Sequence, residues 1–183
     1  MKLVFPEQAF EVGEGKLGGK SMGLAKLNRA GAPVPEWFGV PTEFFSAHVS
    51  KSSISGVLST TLSELSELDL TEPASLKVVQ AGAQKIKDAI IAEEPPPELR
   101  VAIEADLPKL GDGPFAVRSS MVGEDSKEHS FAGQLDSFLF QTGVDEVVDS
   151  IKRCWASAFG DRSIAYHLRA NLPLDAIRVG VVT

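Results

Sequence analysis

Two stretches of this sequence combine cations, hydroxyls and glycines in a way that suits an anion. The longer runs from Phe115 to Ser137, FAVRSSMVGEDSKEHSFAGQLDS. Its opening run, Phe115-Ala116-Val117, reads as a buried strand that delivers Arg118, Ser119 and Ser120 at its end. A polar loop around Gly123 follows, charged at Glu124, Asp125, Lys127, Glu128 and His129. Ser130-Phe131-Ala132-Gly133-Gln134 and a second strand, from about Phe138 to Gln141, come next. A guanidinium can grip a phosphate with two parallel hydrogen bonds. A glycine turn lets backbone N–H groups approach the same anion. The shorter stretch, Gly18-Gly19-Lys20-Ser21, opens a helix from about Lys20 to Ala30, with Gly31 as its stop. Lys20 falls in the first turn, where the helix dipole disfavours a cation. The placement makes sense if an anionic ligand lies there too.

These residues must be positioned by the elements around them, and the chain punctuates those clearly. Leu24 and Leu27 are the apolar positions expected to face inward from the first helix. Ala32-Pro33-Val34-Pro35 is extended, Trp37 to Val40 reads as a short strand, and Thr42 is placed to cap a helix carrying Phe44 and Phe45. Trp37, Phe38, Phe44 and Phe45 read as core rather than as a base-stacking platform. Residues 50–71, rich in Ser and Thr, repeat leucine at helical spacing and read as a variable helical insert. Pro73 starts a helix to about Ala92 with a stripe of Leu76, Val79, Ala83, Ile86 and Ile90. Pro97 suits the first position of another, which buries Leu99, Ile103 and Leu107. Gly111-Asp112-Gly113-Pro114 turns the chain into the central strand. Val144 to Phe159 is the clearest helix, its apolar stripe including Cys154 and Trp155. Gly160 ends it, Asp161 caps the next, and Ile177 to Val182 is a last strand that runs off the end, as a cut chain would.

Bulk properties exclude whole classes. The 183 residues carry a net charge of −7, so the broad basic face of a nucleic-acid binder is not expected. No apolar run approaches the ~20 residues of a membrane span. A single cysteine, Cys154, excludes an internal disulfide and fits the reducing cytoplasm, and its place in an apolar stripe reads as inert burial. Gly13, Gly15 and Gly18 spell G-x-G-x-x-G, but a dinucleotide fold needs an apolar strand before it, and Ala9-Phe10-Glu11-Val12 is short and charged. Gly19-Lys20-Ser21 resembles the end of a phosphate-binding P-loop, yet the glycine required five residues earlier is Glu14.

Read together, these blocks resemble the ATP-binding domain of the phosphoenolpyruvate synthase and pyruvate phosphate dikinase family, which includes the rifampicin phosphotransferases. The carriers are Arg118-Ser119-Ser120, Glu124-Asp125, Ser130 to Gln134 and Asp136-Ser137. To these add the run from Gly18 to Leu27, Ala30 to Pro35, and the Cys154-Trp155-Ala156-Ser157 to Tyr166 region, all in family order. The resemblance implies an α+β fold, the N-terminal lobe of an ATP-grasp-like domain with a mixed sheet and packed helices. It implies that Lys20 and Arg118 contact phosphate, that Gly133 belongs to a phosphate-covering loop and that Ser137, standing where the family has threonine, contacts the nucleotide. Ser119, Ser120 and Gln134 are supporting candidates. Met121 and Val122 replace a small Ala-Thr pair after the serines, which could reshape the loop without removing a ligand.

The same resemblance implies what residues 1–183 are expected not to contain. The adenine-reading hinge is expected just after the strand at Ile177–Val182, the carboxylates that hold Mg²⁺ in a second lobe, and the phosphate-carrying histidine in a separate swivelling domain. No catalytic residue or metal ligand is therefore assigned here; Glu124 and Asp125 read as solvated loop residues. His48 and His167 read as helix-surface residues, and His129 is the one histidine near the phosphate loops. The expected activity is that of a dikinase: ATP phosphorylates the mobile histidine, and the phosphoryl group passes to pyruvate or another small acceptor such as rifampicin. The chain alone is expected to be inactive. A non-catalytic nucleotide-binding module is the reading from another class.

Overall fold

Two apolar clusters of unequal size lie on opposite faces of one small sheet, and that division organises everything else. The computed structural model of the chain describes residues 1–123, 125, 126, 129, 130, 135–170 and 172–183. The sheet contains β1 (Gly39–Val40), β2 (Phe115–Met121), β5 (Ser137–Gln141) and β6 (Val179–Val182) in the order β1-β6-β2-β5. All its ladders are antiparallel. Between β2 and β5, β3 (Asp125–Ser126) and β4 (His129–Ser130) pair as a separate two-stranded ribbon, within the stretch read from the sequence as loop.

Strand β2 is longer than its apolar start suggests. It runs through Arg118, Ser119 and Ser120 to Met121, because those residues pair with Val182, Val181, Gly180 and Val179 of β6. Arg118 therefore sits mid-strand rather than at a strand end. Alternation along the strand sends Val117, Ser119 and Met121 to one face and Ala116, Arg118 and Ser120 to the other.

The first face carries the main core. Against it pack α7 (Gly143–Ser157), and around α7 lie α3 (Thr42–Val49), α4 (Ser52–Ser66), α5 (Pro73–Ala92), α6 (Pro97–Asp106) and α8 (Asp161–Arg169). Trp155, Phe45, Ile86, Ile90, Leu99, Ile103 and Ile151 are fully buried there. Pro73 and Pro97 occupy first helical turns, where a missing N–H costs nothing. Phe45 stacks on Phe159 and meets the edge of Trp155. The second face is covered by α2 (Glu14–Arg29), preceded by the short α1 (Ala9–Val12). Here Val4, Ala9, Leu17, Met22, Ala25, Trp37 and Val182 form the smaller cluster.

Several local expectations change once packing is considered. α2 starts at Glu14 and is broken at Gly18 (φ 78°), so two helical pieces meet there. Its inward face is Leu17, Gly18, Ser21, Met22 and Ala25; small residues allow the close approach, and Leu27 is exposed. Because α1 is helical, Gly13 and Gly15 do not follow a strand, as a dinucleotide fold would need. Thr42 is already inside α3, with Pro41 at the cap, and Gly160 rather than Asp161 caps α8. Leu76 is exposed at the start of α5.

His48 and His167 are buried, not on the surface. The reason for His48 is the end of α5, whose last carbonyls lack intrahelical donors. His48 Nε2–H donates to Ile90 O (2.9 Å), Lys152 Nζ to Ile91 O (3.1 Å) and Glu93 O (3.4 Å), and Lys51 Nζ to Glu94 O (2.5 Å). His48 and Lys152 thus cover carbonyls at the end of α5, and Lys51 holds the chain just beyond it. Burial lowers the His48 pKa below its ordinary 6.5, and Lys51 and Lys152 push the same way. His167 Nδ1–H donates within α8 to Ser163 O (2.8 Å).

Candidate functional site

Register decides which of the sequence-selected residues meet. Arg118 lies directly opposite Ser137 on β5 and Val182 on β6, and such partners share a face. That is the α2 face, and Arg118 and Ser137 are both exposed on it. Ser120 is two residues further along β2, about 7 Å away at strand spacing. Its hydroxyl accepts the Ser21 N–H (3.0 Å) and lies 3.2 Å from Ser21 Oγ. Ser21 follows Lys20, so this contact holds the turn carrying Lys20 on the same face as Arg118.

Cys154 lies under the strand pair that carries Arg118 and Ser137. Its sulfur lies 3.9 Å from both Val117 O and Asp136 O, the carbonyls preceding Arg118 and Ser137. Burial pushes the thiol up to about 12; Asp136 reinforces the shift, while the charges of Lys20 and Arg153 oppose it. The cysteine itself is buried and protonated, unsuited to reaction.

The two serines after Arg118 have different places. Ser119 turns to the core face, where its Oγ–H donates to Asp136 O (3.0 Å). The Asp136 N–H in turn donates to Ser157 Oγ (3.3 Å), which anchors the start of β5 to α7. Ser120 points to the α2 face but is fully buried. Both hydroxyls are engaged within the fold. Gly133 and Gln134 lie outside the described residues, as do Glu124 and the side chains of Asp125 and His129. Among the described residues no group of three or more His, Cys, Asp or Glu is placed to hold a metal ion.

Sequence reasoning missed one feature of this face. A groove of about 450 Å³ opens beside Arg118, walled by Leu24, Trp37, Phe115, Ala116, Val182 and Thr183 among others. Trp37 and Thr183 are largely buried, yet Trp37 Nε1 and Thr183 Oγ1 have no hydrogen-bond partner among the described residues. Trp37 is core, as its sequence context reads, and it also walls this groove. Its one sequence signal is its position after a proline-rich extended segment. The volume falls in the range of small-molecule pockets, which are mostly apolar with a few placed polar groups. Of the sequence-selected cations, Arg118 lines this groove, and a guanidinium beside an apolar cleft suits an anionic group such as phosphate.

Comparison with known proteins points the same way. Residues 14–183 match the family model described as pyruvate phosphate dikinase, AMP/ATP-binding domain. The sequence is 33% identical over 186 residues to a probable phosphoenolpyruvate synthase of Methanothermobacter thermautotrophicus, covering 98% of this chain and 26% of that protein. It is 34% identical over 172 residues to a rifampicin phosphotransferase of a Streptomyces species, covering 93% and 19%. It is 35% identical over 152 residues to the prodigiosin synthesizing transferase PigC of Serratia marcescens, covering 82% and 15%. The chain thus spans about a quarter or less of the length of these relatives.

Proposed function

The chain belongs to the pyruvate phosphate dikinase AMP/ATP-binding domain family, and from that premise we propose that the α2 face of its sheet holds the polyphosphate of ATP. Lys20 and Arg118 neutralise phosphate oxygens from two different elements. Ser137 adds a hydroxyl beside Arg118, and Gly133, with Gln134, lets the backbone close over the phosphates. Ser119 and Ser120 support this set from inside the fold. The groove walled by Trp37 and Phe115 forms part of the nucleoside site, which the adenine-reading hinge completes. What supports the reading above all is the register that sets Arg118 opposite Ser137 on the face where Ser120 holds the Lys20 turn.

In a complete enzyme of the phosphoenolpyruvate synthase type, this lobe works with a second lobe and a mobile histidine-bearing domain. ATP and water leave a phosphoryl group on that histidine and release AMP and inorganic phosphate, and the phosphoryl group then passes to pyruvate. An antibiotic acceptor, as in the name of the Streptomyces relative, is the second reading. In this reading acceptor choice lies outside residues 1–183, and no turnover is expected from them alone. Mg²⁺, when bound, would screen the phosphate charge. Its carboxylate ligands belong to the second lobe in this reading, and no step here is assigned to it. Residues 50–71, with α4, form a variable insert packed against α5, away from the α2 face. A reducing cytoplasm suits the lone buried Cys154.

Calorimetric titration with ATP–Mg²⁺ tests the reading. Binding that falls at least tenfold in both Lys20→Ala and Arg118→Ala, with folding intact, is the expected outcome. Binding indifferent to both changes would remove this face as the phosphate site.

A further inference from the structure

The second piece of α2 begins at Gly18, a residue with no side chain to cap it. Helix starts leave N–H groups that a Ser, Thr, Asp or Asn at this position ordinarily satisfies. Here the position cannot carry one: φ is 78°, and a Cβ would run into the carbonyl and hydroxyl of Ser120. The acceptor comes instead from Ser120 itself, 99 residues away, which takes the Ser21 N–H at 3.0 Å. The Ser21 and Ser120 hydroxyls meet at 3.2 Å, and both residues are fully buried. A second close approach holds the first piece of the helix, since a Cβ at Gly180 would lie 2.6 Å from Leu17 O. Ser120 therefore replaces a local cap with one bolted to the strand of Arg118.

Resting on the ATP reading above, we propose that the buried Ser21–Ser120 pair is a positioning element that sets the Lys20 turn against Arg118, so that both cations meet one polyphosphate together. Neither serine touches the ligand. Ser120 acts through Lys20, and its loss costs affinity only while Lys20 is present.

A mutant cycle on the protein reads this directly, with ATP–Mg²⁺ and adenosine as the two probes. Ser120→Ala weakens ATP about tenfold, the scale of one misdirected charge-assisted hydrogen bond. The same change in a Lys20→Ala background costs less than about twofold, and adenosine affinity is unchanged in both. Should Ser120→Ala fail to fold, Ser21→Ala keeps the backbone bond; it costs ATP about threefold, again erased by Lys20→Ala. Equal losses with and without Lys20, or a parallel loss for adenosine, overturn the proposal by making the pair a general fold support. If Lys20→Ala binds ATP like the parent, the phosphate site itself is wrong and the positioning role falls with it. The two failures are distinguished by that single variant.

Discussion

The two faces of the sheet are held by different physics. The α7 face is a close-packed apolar layer in which Trp155, Phe45, Ile86 and Ile151 are sealed from water. The α2 face carries a smaller apolar cluster, joined through small residues, one buried hydroxyl pair and two glycine contacts, and it leaves Arg118 and Ser137 open. The first face stores stability and the second stores geometry. Damage to the first should register as unfolding, and damage to the second as lost ligand affinity in a protein that still folds.

The largest effect should come from breaking the stable face. Trp155→Ala removes the biggest buried side chain and should cost about 3–5 kcal/mol in urea unfolding. Gly18→Ala strikes the junction of both roles. It imposes a side chain at φ 78° and against the Ser120 carbonyl, so a loss of about 1–3 kcal/mol from the backbone alone is expected, together with ATP affinity. A Gly18→Ala protein of parental stability would show that α2 is free to shift. Arg118→Ala sharpens the contrast from the other side. Exposed in the open face, it should leave the unfolding midpoint within about 0.5 kcal/mol of the parent while ATP affinity drops at least tenfold.

The smallest effect belongs to pH. His48 is buried against Trp155 with its Nδ1 unpartnered among the described residues, and its pKa is lowered. Between the folded value and 6.5 the unfolded chain holds a proton that the folded chain does not. Its contribution is thus complete above about 6.5 and is lost as pH falls toward the folded value. Urea midpoints measured at pH 7 and pH 5 should differ by less in His48→Gln than in the parent. A parent and variant that decline in parallel would assign the acid sensitivity elsewhere.

The elements were legible where one residue's chemistry decides locally. Pro73 and Pro97 fix helix starts, the α7 stripe runs as its spacing demands, and Gly111 ends the α6 segment at φ 99°. The α2 packing face was not legible, because its contact depends on Gly18 and Ser21 being small as much as on Leu17, Met22 and Ala25 being apolar. Leucine spacing pointed to Leu27 and packing left it in water. His48 was hidden for a related reason, since the carbonyl that draws it inward, Ile90 O, is 42 residues away. Arg118, Ser137 and Lys20 could be named from motif residues, but their shared face is a property of register, which alternation in one strand does not specify.

The cap at Gly18 also carries a history of assembly. A helix closed by its own neighbours can form early, as soon as its local residues find one another. The Lys20 turn cannot, because its acceptor arrives only when the chain has closed a loop of 99 residues and β2 has entered the sheet. Contacts so distant in sequence are reached late, after their loop entropy has been overcome. The cap of the cation-bearing turn exists only where β2 is in place, and slow hydrogen exchange at the Ser21 amide should report how firmly that long-range cap holds.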